Sequence, residues 1–322
     1  MENTKKGING FTLKMIAIVT MFIDHATAIF IEGLLRKRGM NDISTAEESI
    51  KFFSENAGLY GWDLFLRGVG RIAFPIFIFM LVQGFVHTHN RAKYALRLLI
   101  FALVAELPFN LAFGKNIISL SYQNVIWTLL MGFLFMWFDD FIHKKEVSPW
   151  LGYIGIGVSS IAMGCFFGLG LSNFYQSFIP MVEISKVFVP FAAVCTAIVL
   201  VLEIVLNRKK TFNELAQNSL SVFILAALMF AAQLSNTDYG GFGVLAIAVA
   251  YFFREDKMKS FGLSIIPLVL TSFIEIIALV DLVVIKKYNG EKGRSMKYFF
   301  YIFYPAHLLI LALIALSVGL LF

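Results

Sequence analysis

The sequence predicts an all-α polytopic membrane protein, built as a bundle of about ten transmembrane helices. Of its 322 residues, 59% are hydrophobic and 15% are charged, whereas a typical soluble domain has roughly 45–50% apolar and 25% charged residues. The mean hydropathy is +0.78. The apolar residues also fall into runs of roughly the 20 residues that a helix needs to cross a bilayer. This composition excludes a disordered chain, a disulfide-stapled miniprotein and an ordinary cytosolic enzyme.

Ten apolar segments follow each other too closely for a soluble domain to fit between them, so we expect a single domain over residues 1–322. The eighth segment is short, and it could be tilted, half-buried or re-entrant. The longest connection, residues 32–70, contains a candidate surface helix at residues 44–54. The predicted spans are residues 11–31, 71–86, 94–113, 123–141, 150–171, 187–206, 219–234, 241–253, 263–285 and 298–320.

The first span resembles a secretion signal, because lysines precede it and Ala26-Thr27-Ala28 mimics a cleavage site. However, Asp24-His25 interrupts the apolar run just before that site, and apolar residues continue beyond it. We therefore expect a retained first helix. The two cysteines, Cys165 and Cys195, lie in apolar runs and are expected to be packed thiols rather than a disulfide.

The net charge of +6 is interpreted as a topology signal or as anion binding, and no nucleic-acid partner is expected. Ten spans would place both termini on one side of the membrane. The Lys and Arg counts of the two sides are then almost equal, so the positive-inside rule gives no clear orientation. Either the span count is off by one near the short eighth segment, or many of the basic residues on the other side serve function. The early loops alone favour a cytoplasmic N-terminus.

The first span carries the clearest polar pattern. Lys14 and His25 are eleven residues apart, which returns a helix to nearly the same face, roughly 16 Å further along its axis. Glu32 is expected on that face again, seven residues later. Asp24 points about 100° away from its neighbour, so it need not touch His25. Because ionisable groups inside a bilayer are costly, this set is a functional candidate, although a purely structural His remains open.

The second span begins with two arginines one helical turn apart, Arg67 and Arg71, which could grip one anionic group together. Snorkelling of both side chains to lipid headgroups is an equally good interpretation. Pro75 should kink the helix or mark its start.

Further polar candidates follow along the chain. Arg91, Lys93 and Arg97 form a basic turn, which on its own is more typical of a topology signal than of a site. The others could form buried networks or line a cavity, and they are Glu106, Gln123, Asn124, Asp238, Tyr239, Tyr304 and His307. Glu203, Glu275 and Asp281 are acids without an assigned role. No pattern of metal ligands is present, so no metal is expected.

Several of these segments resemble the TraX family. The similarity runs in order over most of the chain except residues 152–233, and its last segment is the most specific. The segments are Lys14-Met-Ile-Ala, Met21-Phe-Ile-Asp-His25, Gly70-Arg-Ile-Ala-Phe-Pro-Ile-Phe77, Gly84-Phe-Val-His-Thr88, Arg97-Leu, Glu106-Leu-Pro-Phe109, Gln123-Asn-Val125, Asp238-Tyr-Gly240, Tyr288-Asn-Gly290 and Phe300-Tyr-Ile-Phe-Tyr-Pro-Ala-His-Leu-Leu-Ile310. A weaker resemblance extends to the transmembrane acyltransferases, in which ten residues also separate a basic residue from a first-helix His.

The resemblance implies a multi-pass enzyme of the bacterial cytoplasmic membrane that transfers an acetyl group from acetyl-CoA to a peptide or protein amine, as at a pilin N-terminus. His25 would be the general base, with Asp24, Glu106 and His307 as further catalytic candidates. The CoA phosphates would lie near Lys14, Arg91, Lys93 and Arg97. The residues expected to bind the acceptor or support the site are Glu32, Arg67, Arg71, Gln123, Asn124, Asp238, Tyr239 and Tyr304.

Other functions remain open at this point. The acceptor could be a sugar or lipid hydroxyl, and the transfer could pass through an acetyl-His intermediate. Buried acids and histidines would also suit a secondary transporter, and a non-catalytic assembly factor for pili is a further alternative. The expected partners are acetyl-CoA, a peptide, protein or glycan acceptor and the lipid bilayer.

Overall fold

The computed structural model describes residues 6–114, 119, 121–179 and 183–321. Within these ranges the chain is helical, and no β-strand forms apart from two isolated bridges. The all-α prediction is therefore confirmed. The described residues fall into two compact units, Met1–Leu130 with Ser235–Phe322 (unit 1) and Met131–Leu234 (unit 2). The single domain expected over residues 1–322 stays a prediction.

Fourteen α-helices are present in the described part of the chain, α7 running from unit 1 into unit 2. They are α1 Gly10–Ala26, α2 Glu32–Lys37, α3 Ala46–Glu55, α4 Ala57–Gly70, α5 Ala73–His87, α6 Arg91–Phe109, α7 Val125–Ile142, α8 Pro149–Phe178, α9 Ile184–Asn207, α10 Phe212–Leu234, α11 Gly240–Phe252, α12 Lys257–Val269, α13 Asp281–Lys286 and α14 Lys297–Ser317. Two π-helical turns, Thr27–Ile31 and Asn110–Gly114, extend α1 and α6. Two 3-10 segments are Met40–Asp42 and Phe273–Val280.

Eight helices in the described residues are long and apolar enough to cross a membrane, fewer than the ten expected. They are Gly10–Lys37, Ala57–His87, Arg91–Phe113, Val125–Ile142, Trp150–Gln176, Ile184–Asn207, Phe212–Leu234 and Tyr298–Ser317. The eighth expected span, residues 241–253, corresponds to α11. Its 13 residues rise about 20 Å, which is short of the roughly 30 Å hydrocarbon core.

The ninth expected span, residues 263–285, is wrong because the chain breaks in its middle. Helix α12 ends at Val269, and Ser272 is extended with φ −158°. The Leu268 carbonyl accepts from the Thr271 amide at 2.9 Å, the Ser272 amide at 3.2 Å and the Thr271 hydroxyl at 2.6 Å, so these two residues close the end of the helix. A 3-10 segment and α13 then follow. The surface helix expected at residues 44–54 is present as α3, capped reciprocally by Thr45 and Glu48.

The break lets the chain fold back, so that α14 runs parallel to α1. Before α1, the Ile8 amide donates to the Lys287 carbonyl at 2.9 Å, close to the start of α14. At the other end of this helix pair, Gly33 lies against Leu320. A Cβ atom added to Gly33 would be 3.4 Å from Leu320. The first and last described residues therefore lie at opposite ends of α1. The expectation that both chain ends share one side is wrong.

This arrangement changes the count of basic residues at the two ends of unit 1. Five described residues lie towards the far end, namely Arg36, Lys37, Arg38, Lys51 and Arg67, while Arg71 lies at the level of Asp24, midway along the helical segment Gly10–Lys37. Thirteen lie at the end where α1 begins, namely Lys6, Lys14, Arg91, Lys93, Arg97, Arg254, Lys257, Lys259, Lys286, Lys287, Lys292, Arg294 and Lys297. The positive-inside rule now predicts that the end where α1 begins faces the cytoplasm.

Unit 2 is held together by close contacts between small residues. Gly164 and Gly168 of α8 lie so close to α9 that neither position has room for a side chain. A Cβ atom added to Gly168 would be 2.5 Å from the Ala192 Cα, and one added to Gly164 would be 2.6 Å from the Thr196 Cα. Small residues at a four-residue spacing let helix backbones approach closely in a membrane. Cys165 and Cys195 are both free thiols, as expected.

Replacing Gly168 by alanine should destabilise unit 2 by about 1–3 kcal/mol, because the new methyl group would overlap the α9 backbone. Thermal unfolding of the detergent-solubilised protein measures this as a lower Tm. At Gly157, on the same helix, an added Cβ would meet no atom of the described residues within 4 Å. Its change to alanine should leave the Tm unchanged or raise it slightly. Equal effects of the two changes would refute the close packing of α8 on α9.

Candidate active site

The centre of unit 1 contains a pair of histidines from the two parallel helices. His25 of α1 and His307 of α14 place Nδ1 and Nε2, respectively, 2.8 Å apart. The two ring planes are only 4° apart, with centroids separated by 5.1 Å. With so short a nitrogen–nitrogen distance, the rings must meet edge to edge in a common plane, which is the geometry of a linear hydrogen bond.

A backbone carbonyl determines which nitrogens of the pair carry protons. His307 Nδ1 lies 2.7 Å from the carbonyl oxygen of Phe303, and a carbonyl only accepts, so Nδ1 holds the proton. In neutral His307, Nε2 is then an acceptor, and His25 Nδ1 donates to it. This assignment leaves His25 Nε2 with a lone pair. Nε2 makes no hydrogen bond to a residue in the described part of the chain.

Aromatic side chains surround the pair. The ring centroids of Phe113 and Tyr304 lie 5.6 and 6.0 Å from that of His25, both in edge-on orientations. Phe113 reaches this position from the π-helical turn Asn110–Gly114, which follows Pro108 in α6. The Tyr304 hydroxyl is buried near the Val125 amide, without a hydrogen bond of normal geometry. It therefore has a proton to offer.

Both arginines of the second span bind Asp24. Arg67 Nη1 lies 2.7 Å from Oδ2 and Arg71 Nη2 lies 2.8 Å from Oδ1. Gly70 makes this approach possible, since a Cβ there would be 2.2 Å from Asp24 Oδ1. Of the two interpretations left open, the structure shows a shared anion, and that anion is a side chain of the protein. A role of the two arginines in binding the acceptor stays a prediction. Asp24 and its neighbour His25 point to different partners, as expected. Pro75 lies in the first turn of α5.

Two further acids complete this ion-pair cluster. Glu275, from the 3-10 segment, is 1% exposed and accepts from Arg71 Nη1 at 3.0 Å. Glu32 lies 3.2 Å from Arg67 Nε. The predicted stripe placed Glu32 on the face of His25, but the π turn Thr27–Ile31 intervenes and Glu32 instead shares an arginine with Asp24. The sequence marked Glu275 as a buried acid but indicated no role for it.

Two chain segments meet at Gln123 and Asp238. The Asp238 amide donates to the Gln123 carbonyl at 2.9 Å, and the Tyr122 hydroxyl donates to Asp238 Oδ1 at 2.8 Å. Burial raises the pKa of the Asp238 carboxyl, and the hydrogen bond from Tyr122 opposes that shift. Tyr239 has a left-handed backbone, φ 64°, and stacks on Phe74 at 3.8 Å. Tyr122 carries no motif that would have identified it from the sequence.

Glu106 and Asn124 form a second buried network. Glu106 Oε2 accepts from Asn124 Nδ2 and from Trp127 Nε1, the latter at 2.9 Å. Asn124 Nδ2 also donates to the Ala102 carbonyl at 2.9 Å, while its Oδ1 accepts from the Ile126 amide at the start of α7. The structure shows the buried network that the sequence left open as one of two alternatives, although Oε1 of Glu106 has no partner among the described residues. Their catalytic or binding roles stay predictions.

The basic residues expected to hold CoA come from two helices, Lys14 from α1 and the other three from the first two turns of α6. Lys14 Nζ lies 5.4 Å from the Phe300 ring centroid, and Arg97 lies over Tyr94 at 5.1 Å. Arg91 stacks over the Phe85 ring at 4.4 Å. Lys93 is exposed. The cofactor role of all four residues stays a prediction.

Comparison with known proteins identifies the family. A family model described as TraX protein matches residues 9–208 and 187–315. A probable fimbrial assembly protein FimC, serogroup H1, of Dichelobacter nodosus is 34% identical over 101 residues, which is 31% of this chain and 31% of that protein. No solved structure matches. The TraX match covers every segment that builds the histidine pair, the ion-pair cluster and the Glu106 network, and the chain therefore belongs to the TraX family.

Proposed function

We propose that this protein is a membrane N-acetyltransferase that moves the acetyl group of acetyl-CoA to a primary amine of a peptide or protein acceptor. The TraX family and the partial likeness to a probable fimbrial assembly protein support a pilin-related role. We further infer that the protein resides in the bacterial cytoplasmic membrane. The proposal that the protein is an enzyme rests on the edge-to-edge pair of His25 and His307.

The free lone pair on His25 Nε2 supports a general-base mechanism. As the acceptor amine attacks the thioester carbonyl, Nε2 removes a proton from its nitrogen. The Nδ1 proton of His25 can then shift toward His307 Nε2, so that the positive charge is shared along the hydrogen bond. The Phe303 carbonyl, 2.7 Å from His307 Nδ1, stabilises that charge. This arrangement parallels the orienting role of the acid in a catalytic triad.

Tyr304 is proposed to stabilise the negative charge that forms on the carbonyl oxygen. Its ring centroid lies 6.0 Å from that of His25, and its buried hydroxyl, which has no hydrogen-bond partner among the described residues, can donate to the oxyanion that forms on the attacked carbonyl. Collapse of the tetrahedral intermediate breaks the carbon–sulfur bond. The departing CoA thiolate takes the proton that His25 holds, which restores the starting state. The overall products are an N-acetylated acceptor and free CoA.

The position of Lys14 fits a donor that enters from the cytoplasmic end. Lys14 and His25 are eleven residues apart on the single helix α1, which corresponds to roughly 16 Å along its axis. That separation is comparable to the extended pantetheine arm of CoA. A phosphate near Lys14 would therefore allow the thioester to reach His25.

Release of the CoA thiol by purified protein in lipid nanodiscs tests this function. The probes are tri-alanine amide, which has a free amino terminus, and lactoyl-alanyl-alanine amide, which has a hydroxyl in its place. We expect acetyl-CoA binding and amine-dependent thiol release, with much slower release for the hydroxyl probe. Folded protein that does not bind acetyl-CoA would refute the enzyme. Faster release with the hydroxyl probe would instead indicate O-acetylation, and solute uptake by reconstituted vesicles would indicate a transporter.

A further inference from the structure

Two hydrogen-bond acceptors near the histidine pair are buried without partners. Glu106 Oε1 and Asn110 Oδ1 have no hydrogen bond within the described part of the chain. Asn110 is 2% exposed. Buried polar groups are almost always paired, so each exception calls for a reason. The two residues are four apart, one at the end of α6 and one in the π turn that follows, which makes them neighbours on one helix face.

This face borders the histidine pair. Phe113, in the same π turn as Asn110, contacts His25 edge-on at 5.6 Å. Helix α6 and this π turn pack against α14, whose Tyr304 ring lies 6.0 Å from that of His25. Trp127 fixes the other carboxylate oxygen of Glu106. The free oxygen is therefore held in place rather than able to turn away. Local π-helical turns of this kind are frequent at functional sites.

We propose that Glu106 and Asn110 form the subsite that holds the acceptor nitrogen and selects an amine over a hydroxyl. This inference rests on the proposed acetyltransferase function. A primary ammonium group can donate to both oxygens and still present an N–H to His25, whereas a hydroxyl has one proton. Glu106 takes the first proton of the bound ammonium and leaves a neutral amine. His25 takes the second as the nitrogen attacks, and the proton on Glu106 is then lost to water.

The test compares two changes at Asn110 with tri-alanine amide as acceptor. Asn110→Leu removes the acceptor oxygen and should raise the KM for this peptide by about tenfold or more, the effect of losing a hydrogen bond to a charged donor. Asn110→Asp keeps an oxygen in place and should leave that KM within about threefold of wild type. The KM for acetyl-CoA should not change in either variant.

Asn56→Leu provides a matched control, because Asn56 is also a buried asparagine but pairs with Arg38 and the Phe52 carbonyl. It should not alter the KM for the peptide. A folded Asn110→Leu variant with unchanged peptide KM would overturn the subsite while leaving the acetyltransferase intact. An equal rise in the KM for acetyl-CoA would also overturn it, because the residue would then serve the donor. Wild-type protein without any thiol release would instead refute the proposed function itself.

Discussion

Replacing His25 by alanine is expected to lower kcat for acetyl transfer by about 10²–10⁴-fold, the usual contribution of a positioned general base. The reason is that Nε2 carries the lone pair which removes the proton from the acceptor nitrogen as it attacks. The KM for acetyl-CoA should change little. Steady-state thiol release, with a thermal melt to verify folding, provides the measurement. Undiminished turnover in the folded variant would contradict the base assignment.

His307→Phe is the companion change. The phenyl ring keeps an aromatic side chain packed against Phe303, whose ring centroid lies 4.7 Å from that of His307, but it offers no acceptor to His25. Turnover should fall, since neither the tautomer of His25 nor its positive charge is then supported. The double variant His25→Ala/His307→Phe should be no slower than His25→Ala alone, because residues that act as a unit show non-additive losses. Additive losses would mean that the two histidines act independently.

Replacing Arg71 by leucine is expected to destabilise the protein by about 3–5 kcal/mol, because it leaves Asp24 and Glu275 as buried carboxylates without that partner. The Arg71, Asp24 and Glu275 side chains are only 15, 13 and 1% exposed, so solvent screens the cluster weakly. Denaturant or thermal unfolding in detergent measures the effect. Adding Glu275→Leu to the same chain should recover part of the loss, since it removes one of the stranded charges.

Arg36→Leu is the control for this change. Arg36 pairs with Glu32 at 3.4 Å on the same helix, and both side chains are nearly 30% exposed. Exposed ion pairs of this kind contribute less than about 1 kcal/mol to the free energy of unfolding, so the Arg36→Leu change should have a small effect. If Arg71→Leu and Arg36→Leu lowered stability equally, the ion-pair cluster around Asp24 would not stabilise the fold.

The helices could be predicted from hydropathy because burial in lipid demands long apolar runs with internally satisfied backbones. The same criterion failed at residues 263–285. Those residues are mostly apolar, although they include Glu275 and Asp281. The helix ends and the chain turns back at Thr271 and Ser272. That turn decides that α14 runs parallel to α1, and with it which basic residues share an end of unit 1.

The site was partly predictable for a similar reason. His25 and His307 stood out because a titratable group inside a span is costly, but they are 282 residues apart, and no spacing rule could pair them. The spacing of the two arginines left a shared anion and lipid snorkelling equally open, and it could not show that the shared anion is Asp24. Glu32 was placed on the wrong face because the π turn is not visible in a regular helical pattern. The unpaired oxygen of Asn110 becomes visible only with side-chain contacts.

The mass of the acceptor after incubation tests the central claim most directly. Wild-type protein in nanodiscs, acetyl-CoA and tri-alanine amide should yield a peptide heavier by one acetyl group, located on the amino-terminal nitrogen by fragmentation, and His25→Ala protein should yield almost none. An unmodified peptide in the presence of folded, acetyl-CoA-binding wild-type protein would contradict an N-acetyltransferase. Equal product from His25→Ala would contradict a reaction centred on the histidine pair.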